Sequence, residues 1–169
     1  MDNWLCGFFE GQSSFAVNIG LNKSKNKRYV VFKPYICVAN SDKYQIKKLV
    51  TMLGISSAVG VKKKKEKFHN DYHSLNIQNF NDISKVVDKL KDYKFVSKIK
   101  QQKFDRFVNC FEFIQEIGHI HSSWDDVFEE IIDKKLSIND VRGNIDSNRF
   151  NKNAWLLRIK EHLEGVDTE

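Results

Sequence analysis

Basic side chains gathered in two short segments are the residues of this sequence whose types and spacing most readily suggest chemistry. Residues 62–67 read KKKKEK, and residues 22–28 read NKSKNKR. Such groups bind phosphates and displace the counterions that surround nucleic acids, so they indicate a salt-dependent contact with a polyanion. A lysine run can equally be the solvated edge of a hairpin that is kept basic against aggregation. Both interpretations stay open for residues 62–67.

The composition agrees with a polyanionic partner without identifying one. The 169 residues include 28 Lys and Arg against 22 Asp and Glu, for a formal charge of +6. This length fits one domain, and no Gly/Ser-rich stretch is long enough to act as a linker. We therefore predict a single domain over residues 1–169, with a helical C-terminal extension from about residue 141.

The cysteines and histidines give little support to metal or redox chemistry. His119 and His121 have no Cys or third His nearby, which argues against a zinc site. Cys6, Cys37 and Cys110 stand apart in apolar contexts, so we predict reduced core residues in an intracellular, reducing compartment. Because no apolar run of about 18 residues and no secretion pattern occurs, we expect a soluble protein without a membrane partner. An organelle and a prokaryotic cytoplasm both remain open.

The elements that must position these residues follow from the spacing of the apolar side chains. Helical spacing predicts a short helix over residues 3–11. Alternation predicts strands over residues 15–21 and 29–39, which pair antiparallel across the basic turn. Pro34 predicts a bulge or an unpaired position. Asn40 or Ser41 would cap the next helix, which Gly54 ends.

The rest of the pattern predicts a weaker hairpin followed by helices. The hairpin spans residues 59–67 and 72–77, with a phase that stays open. Helices follow at about residues 80–90, 103–117 and 153–163. One more helix, capped by Ser122 or Ser123, turns Trp124 inward. This order of elements predicts an α+β fold with one mostly antiparallel sheet.

Residues 4–15, WLCGFFEGQSSF, resemble the LAGLIDADG motif of homing endonucleases and group I intron maturases. The likeness continues in order through the alternating strand, the Asn40-Ser41-Asp42 turn into a helix that ends at Gly54, and the basic stretch of residues 98–103 before a long helix. With the later Gly118-His119 turn, it covers at least residues 3–140. The family's fold is an antiparallel, saddle-shaped sheet flanked by helices, and we expect that fold for this chain.

The resemblance also implies a homodimer, because one motif per chain must find its counterpart in a second copy. In the family, the motif helices pack together at glycines. Gly7, Phe8 and Gly11 are accordingly assigned to the dimer interface. The alternative left open is that both glycines simply let a core helix pack tightly within one chain.

The same resemblance assigns catalytic positions, and one of them is altered. Gln12 occupies the acidic position that binds Mg²⁺ or another divalent cation, whereas Glu10 falls on the first acidic position of the motif. An amide lacks the negative charge that holds a hard cation, so we expect impaired cleavage. Asn40 matches the residue that positions the metal-bound water, and Lys100 matches the basic residue near the scissile phosphate. A plain helix cap at Asn40 and a solvated lysine at Lys100 stay open as alternatives.

Family members read DNA by laying their sheet in the major groove, where base edges are distinguishable. The resemblance therefore implies contacts from the outer face of the two strands, from their turn, from the second hairpin and from the basic stretch. The residues are Asn18, Asn22, Lys23, Lys25, Lys27, Arg28, Lys33, Tyr35, Lys62, Lys64, His73 and Lys98. A polar outer face is also what any half-buried sheet shows.

Three hypotheses about function follow. The first is a homodimeric, sequence-specific binder of double-stranded DNA whose Mg²⁺-dependent cleavage is impaired at Gln12. The second is a non-cleaving descendant that acts as an intron-RNA maturase or as a DNA-binding regulator. The third is an α+β domain whose dimer face binds protein. Salt-dependent binding of nucleic acid distinguishes the third hypothesis from the other two.

Overall fold

The computed structural model describes residues 3–62, 72–140 and 151–165, which form helices and strands in an α+β arrangement, as predicted. The elements are α1 Asn3–Gln12, β1 Ser13–Ser24, β2 Lys27–Asn40, α2 Lys43–Leu53, β3 Val59–Lys62, β4 Tyr72–Ile77, α3 Phe80–Leu90, α4 Lys98–Ile117, β5 Ile120–His121, α5 Val127–Asn139 and α6 Lys152–Glu164. Over these described ranges, no helix is long and apolar enough to cross a membrane.

The strands form one sheet in the order β1-β2-β4-β3, with β5 added on β2. Strand β2 pairs antiparallel with β4 from Ile36 opposite Ile77 to Asn40 opposite His73. Antiparallel pairing also joins β3 to β4 and β5 to β2, which confirms the predicted sheet type. Pro34 lies between the part of β2 that pairs with β5 and the part that pairs with β4.

The basic turn between β1 and β2 is shorter than predicted, because its polar residues join the strands. Only Lys25 and Asn26 remain outside them. Two-residue connections suit the twist of a hairpin, and backbone pairing does not require apolar side chains at a solvated end. The alternation is as expected up to Asn18, since Phe15 and Val17 are buried while Asn18 is exposed, but residues 19–22 are all half-buried.

The chain divides into two compact units, one comprising Met1–Phe15 with Tyr35–Gln101 and the other Ala16–Pro34 with Gln102–Glu169. Strands β1 and β2 each contribute residues to both. The single domain with an extension from about residue 141 therefore stays a prediction.

In the first unit, α2 ends at the predicted residue but does not have its predicted cap. Asp42, rather than Asn40 or Ser41, is the N-cap, and its carboxylate accepts the backbone N–H of Tyr44 at 2.8 Å. Asn40 lies two residues earlier, and its side-chain oxygen accepts the N–H of Asp42 at 2.8 Å. Gly54 ends the helix with a φ of 62°, as predicted for a left-handed C-terminal residue.

A buried carboxylate at Asp82, 3 % exposed, ties α3 to the loop after α2. It accepts the N–H and the hydroxyl of Ser56, each at 3.1 Å, and the hydroxyl of Ser57 at 2.9 Å. Burial alone would raise the pKa of Asp82, but these hydrogen bonds and the charge of Lys85 hold it below its ordinary value of 3.8. The carboxylate is therefore kept ionised in the folded protein.

Two helix starts, one in each unit, differ from the predictions. Helix α5 begins at Val127, after a turn in which Asp125 accepts the N–H of Val127 at 3.1 Å, so neither Ser122 nor Ser123 caps it. Trp124 precedes the helix and is 42 % exposed, although its ring meets the buried Phe128 edge-on. Helix α4 begins at Lys98 rather than at residue 103, in the part that belongs to the first unit.

The cysteines are free, and two of the three are buried as predicted. Cys6 and Cys110 are in the core, whereas Cys37 is half-buried. Burial raises the pKa of the Cys110 thiol to about 12, against the weaker opposing effect of Lys134 and Lys135. Cys110 is therefore an inert thiol at neutral pH.

We expect Asp82→Asn to lower the free energy of unfolding by about 2–3 kcal/mol, because three hydrogen bonds to a buried charge are weakened. Since the pKa of Asp82 is lower in the folded protein, its contribution is complete above pH 3.8 and is lost as the pH falls through the folded value. Urea denaturation at pH 7 and at pH 3 measures both effects. The wild-type protein should lose more stability than Asp82→Asn on acidification.

The matched control is Asp88→Asn on the same helix. Asp88 pairs with Lys91 at 3.1 Å, but both side chains are exposed. Such a pair contributes about 0.5 kcal/mol or less. Equal destabilisation by both variants would contradict the role given to Asp82.

Candidate nucleic-acid interface

Helix α1 leaves the face that carries its two glycines open. Gly7 and Gly11 are exposed, and a Cβ built on either meets no heavy atom of the described residues within 4 Å. The opposite side of the helix is buried through Leu5, Cys6 and Phe9. The glycines therefore do not serve close packing within the described chain, which was the alternative left open by the sequence.

Aromatic rings lie beside this glycine face. Phe8 is half-buried and stacks on Trp4, with ring centroids 4.9 Å apart. The ammonium of Lys48 lies 4.4 Å from the centre of the Trp4 ring. These contacts fix Trp4 and Phe8 at the surface of α1 without covering Gly7 or Gly11.

Three polar residues, Gln12, Ser13 and Lys100, lie at or next to the C-terminal end of α1. Gln12 is its last residue and is exposed. The hydroxyl of the next residue, Ser13, donates to the carbonyl of Phe9 at 2.6 Å. The ammonium of Lys100 donates to the carbonyl of Ser13 and lies 3.4 Å from its hydroxyl. Lys100 is thus held against the C-terminal end of α1 rather than extended into solvent. Its positive charge there interacts favourably with the helix dipole.

Glu10 does not point toward that end. Its carboxylate accepts the N–H of Val96 at 2.9 Å and the N–H of Ser97 at 3.1 Å. Ser97 immediately precedes α4, and its own carbonyl accepts the N–H of Gln101. Helix N-termini expose such N–H groups and favour negative charge, so Glu10 acts as a remote cap of α4.

The donor set at the end of α1 does not fit a divalent cation. Gln12 carries no charge, and both oxygens of Glu10 are engaged by backbone N–H groups. Elsewhere in the described ranges, no three His, Cys, Asp or Glu side chains are grouped as metal ligands. A hard cation beside a phosphate needs anionic oxygen ligands, and this end of the helix offers only neutral ones.

Asn40 lies at the same end of the hairpin as Ser13. When a two-residue turn joins two neighbouring strands, their residues pair in order outward from the turn. The end of β2 therefore lies near the start of β1. Asn40 faces His73 in the register of β2 with β4. His73 is half-buried, and its Nδ1 atom is buried without a hydrogen-bond partner among the described residues.

The outer face of the hairpin, defined by Asn18, Gly20, Asn22 and Lys33, carries polar side chains in the second unit. Asn18 and Lys33 are exposed, and Asn22 is half-buried. A Cβ on Gly20 would lie 3.4 Å from Cε and Nζ of Lys33 and 3.7 Å from the side-chain oxygen of Asn22. Gly20 therefore lets Lys33 lie across the face beside Asn22.

The remaining predicted contact residues lie in several places. Lys23, Lys25 and Lys27 are exposed around the turn, and Arg28 is half-buried. In the first unit, Tyr35 is half-buried and Lys98 is exposed at the start of α4. Lys64 lies outside the described residues, and only the backbone of Lys62 is described.

The hydrogen bond of Ser13 and the position of His162 were not predicted from the sequence. A hydroxyl four residues after Phe9 could have been recognised as a bond to the carbonyl of the preceding turn. His162, whose Nε2 lies 3.0 Å from the carbonyl oxygen of Asn22, carries no such local signal because 140 residues separate the two.

Comparison with known proteins decides the family. The sequence model of the family described as LAGLIDADG endonuclease matches residues 5–111. The chain belongs to this family. The match begins within α1 and ends within α4 of the LAGLIDADG protein, and β5, α5 and α6 follow it.

Solved structures of LAGLIDADG proteins share the fold. The archaeal intron-encoded homing endonuclease I-Vdi141I, complexed with DNA, is 17% identical with a TM-score of 0.68, covering 97% of this chain and 94% of its own. For the homing endonuclease I-TnaI, the identity is 21%, the TM-score 0.56 and the coverage 99% and 100%. I-CpaMI, bound to uncleaved DNA, is 16% identical with a TM-score of 0.64, and the match covers 100% of this chain and 51% of I-CpaMI. The chain likewise spans about half of I-GzeII.

We expect Glu10→Gln to destabilise the LAGLIDADG protein by about 1–2 kcal/mol, since the charge at the start of α4 is lost. For a chain of this size, this corresponds to a fall in Tm of about 2–4 °C per kcal/mol. Thermal unfolding followed by circular dichroism measures it. Glu112→Gln, an exposed change on the same helix, is the control and should leave Tm unchanged. A wild-type Tm for Glu10→Gln would refute the capping role.

Proposed function

We propose that the protein is a homodimer that binds double-stranded DNA sequence-specifically and that lacks cleavage activity because Gln12 replaces an acid. The observation that carries the proposal is the β1–β2 hairpin, whose outer face and turn expose amides and cations. Several apolar side chains of the same strands, such as Val17 and Phe32, are buried. A two-stranded ribbon of this kind fits the major groove, where every base pair has a distinct edge.

The residue types divide naturally between reading bases and holding the backbone. The amides of Asn18 and Asn22 can pair with adenine, and Lys33 can contact guanine or phosphate. The lysines around the turn supply phosphate contacts, which give affinity without sequence preference. DNA-bound neighbours of the same fold, such as I-Vdi141I, support this use of the sheet.

The open glycine face of α1 supports the homodimer. A second copy of α1 could approach Gly7 and Gly11 closely, since no described atom occupies that space. A twofold axis through α1 would make this interface self-complementary.

The end of α1 supports binding without cleavage. In the family, catalysis depends on divalent cations, which supply charge stabilisation and an activated water at the scissile phosphate. Gln12 offers no anionic ligand, and Glu10 cannot replace it while it caps α4. Lys100 and Asn40 lie at the same end of the hairpin, where Lys100 donates to the carbonyl of Ser13 and Asn40 accepts the N–H of Asp42 in the turn before α2.

We expect the double variant Gly7→Ala and Gly11→Ala to separate dimerisation from folding. Each added Cβ meets no heavy atom of the described residues within 4 Å and improves helix propensity by about 1 kcal/mol per site. The same Cβ atoms prevent close approach of a second α1. Sedimentation equilibrium should show a dimer weakened at least tenfold, an effect of about 1.4 kcal/mol, while urea denaturation of the monomer shows no loss of stability.

Lys89→Ala on α3 is the control, because it makes a similar exposed helical change away from α1. It should leave the dimer dissociation constant unchanged. A double-glycine variant that dimerises as tightly as the wild type would refute the interface.

We expect selection from a randomised duplex pool to recover a specific duplex, which the wild-type protein binds without cutting. Gln12→Glu should cut that duplex when Mg²⁺ is present, since the carboxylate restores the charge that a hard cation needs. Gln12→Asn is the matched control and should remain inactive. Strand cleavage and calorimetric Mg²⁺ binding by each protein–duplex complex are the two measurements.

Each other outcome has a defined meaning. Cutting by the wild-type protein would refute the silencing role of Gln12. Specific binding with no cutting by Gln12→Glu would leave a DNA-binding regulator. Failure to select any duplex would overturn DNA recognition, and binding of a structured intron RNA would then favour the maturase.

A further inference from the structure

Helix α6 takes no part in the functions proposed above. It follows residues 5–111, so the match to the family assigns it no role. Together with α5 and the hairpin residues 16–34, it belongs to the second unit. One side chain links it directly to β1, because the Nε2 atom of His162 lies 3.0 Å from the carbonyl oxygen of Asn22. Helix α6 thus contacts the backbone of a residue that is proposed to read a base.

The direction of this hydrogen bond follows from its acceptor. A carbonyl oxygen only accepts, so the Nε2 atom of His162 carries the hydrogen and donates it. Both residues are half-buried, which limits the competition of water for the bond. In the order of the described strands, β1 is terminal. Proteins often cover the backbone of a terminal strand with a helix, and His162 makes such a contact at Asn22.

The other end of α6 is held independently. Lys152, its first residue, donates to Asp133 of α5 at 2.7 Å and lies 3.3 Å from Glu129. A positive charge at a helix N-terminus opposes the dipole, so the two carboxylates hold Lys152 there. Helix α5 is attached to the hairpin in turn, since the rings of Phe128 and Phe32 meet edge-on with centroids 5.7 Å apart. The position of α6 along β1 is therefore determined at both ends of the helix.

The two amides of β1 differ in how firmly the core holds the strand beside them. Asn18 follows Val17, which is 4 % exposed, so core packing fixes the backbone there. Residues 19–22 are all half-buried, and the core therefore holds this part of the strand less firmly. The bond from His162 falls within this part. It therefore contributes more to the position of Asn22 than to that of Asn18.

The orientation of the Asn22 side chain depends on the backbone that carries it. A Cβ built on Gly20 would lie 3.7 Å from the side-chain oxygen of Asn22 and 3.4 Å from Nζ of Lys33, so the two polar groups lie over the same glycine. An amide pairs with adenine by two hydrogen bonds at once, which requires a defined orientation. A backbone that shifts at Asn22 would break this geometry.

We propose that His162 is a positioning residue for base recognition, because its bond to the carbonyl of Asn22 orients the Asn22 amide toward one base pair. The proposal rests on the DNA-binding function above and deepens it: α6, which contacts no base itself, sets the preference at that pair. The competing explanation is a role of His162 in stability alone. That role would change the affinity for every duplex alike.

The test begins by assigning base pairs of the selected duplex to the two amides. Asn18→Ala and Asn22→Ala should each lose the base preference at a different pair. His162→Leu then removes the hydrogen-bond donor and keeps a residue that favours a helix. It should lower the preference at the Asn22 pair at least about fivefold and leave the preference at the Asn18 pair unchanged. Competition binding with duplexes substituted at either pair measures both preferences.

Two amide variants provide a matched comparison. The side-chain N–H of Gln reaches about as far as Nε2 of histidine, whereas that of Asn is one methylene shorter. His162→Gln should therefore keep the preference at the Asn22 pair, and His162→Asn should lose it. In the Asn22→Ala background, His162→Leu should change neither preference further, because the side chain that it positions is absent. The control is Leu157→Ala, an exposed change on α6, which should leave both preferences unchanged.

The opposite outcomes are equally defined. An unchanged preference at the Asn22 pair in His162→Leu, or an equal loss at both pairs, would overturn the positioning role. A lower affinity for all duplexes with both preferences intact would establish a role in stability alone. Circular dichroism verifies that each variant is folded, and the Gln and Asn variants decide the question if His162→Leu unfolds. These results leave DNA binding by the wild type untouched, whereas absence of wild-type duplex binding would refute both proposals.

Discussion

The two hydrogen bonds that Glu10 accepts from the backbone at the start of α4 determine how the end of the motif helix is arranged. Their partners, Val96 and Ser97, lie more than 80 positions away in sequence, so one carboxylate sets where a twenty-residue helix begins. From that start, Lys100 falls one turn into α4 and reaches Ser13. The capping bond thus brings an ammonium, rather than an anionic ligand, to the end of α1.

This arrangement separates two roles that the acidic residues of the motif would otherwise share, namely stabilising the fold and taking part in the chemistry. Glu10 is committed to folding, and residue 12 is left exposed with no structural bond of its own among the described contacts. A change at Gln12 can therefore alter chemistry with little effect on stability. The proposed binder without cleavage activity needs only that one exposed position to differ from an acid.

Much of the fold was predictable because local patterns determine it. Alternation placed Phe15 and Val17 inside and Asn18 outside, and Gly54 ended α2 at the predicted residue. The errors occurred where a distant or competing group decides the outcome. Residues 98–102 were not assigned to α4 because the side chain that caps it comes from Glu10, and Ser122 lost the capping role because Asp125 makes a tighter turn before Val127.

The candidate site was predicted less completely, and for the same physical reason. Residue types placed the amides and cations on the hairpin, but no periodicity could indicate that His162 reaches Asn22. Nor could spacing distinguish an open glycine face from a packed one, since both have the same sequence. Exposure of Gly7 and Gly11 follows from which side of α1 the core occupies.

The division of β1 and β2 into a buried and a more exposed side has a consequence for how the sequence of such a protein can change. Asn18, Asn22 and Lys33, the side chains proposed to contact DNA, lie outside the buried core, whereas Val17 and Phe32 belong to it. Preference for one target could therefore drift to another through substitutions that cost the scaffold little. Gly20 leaves room for Lys33 to lie flat on this face. Substitution at Gly20 is therefore more restricted, because a bulky side chain there would displace the long side chain of Lys33.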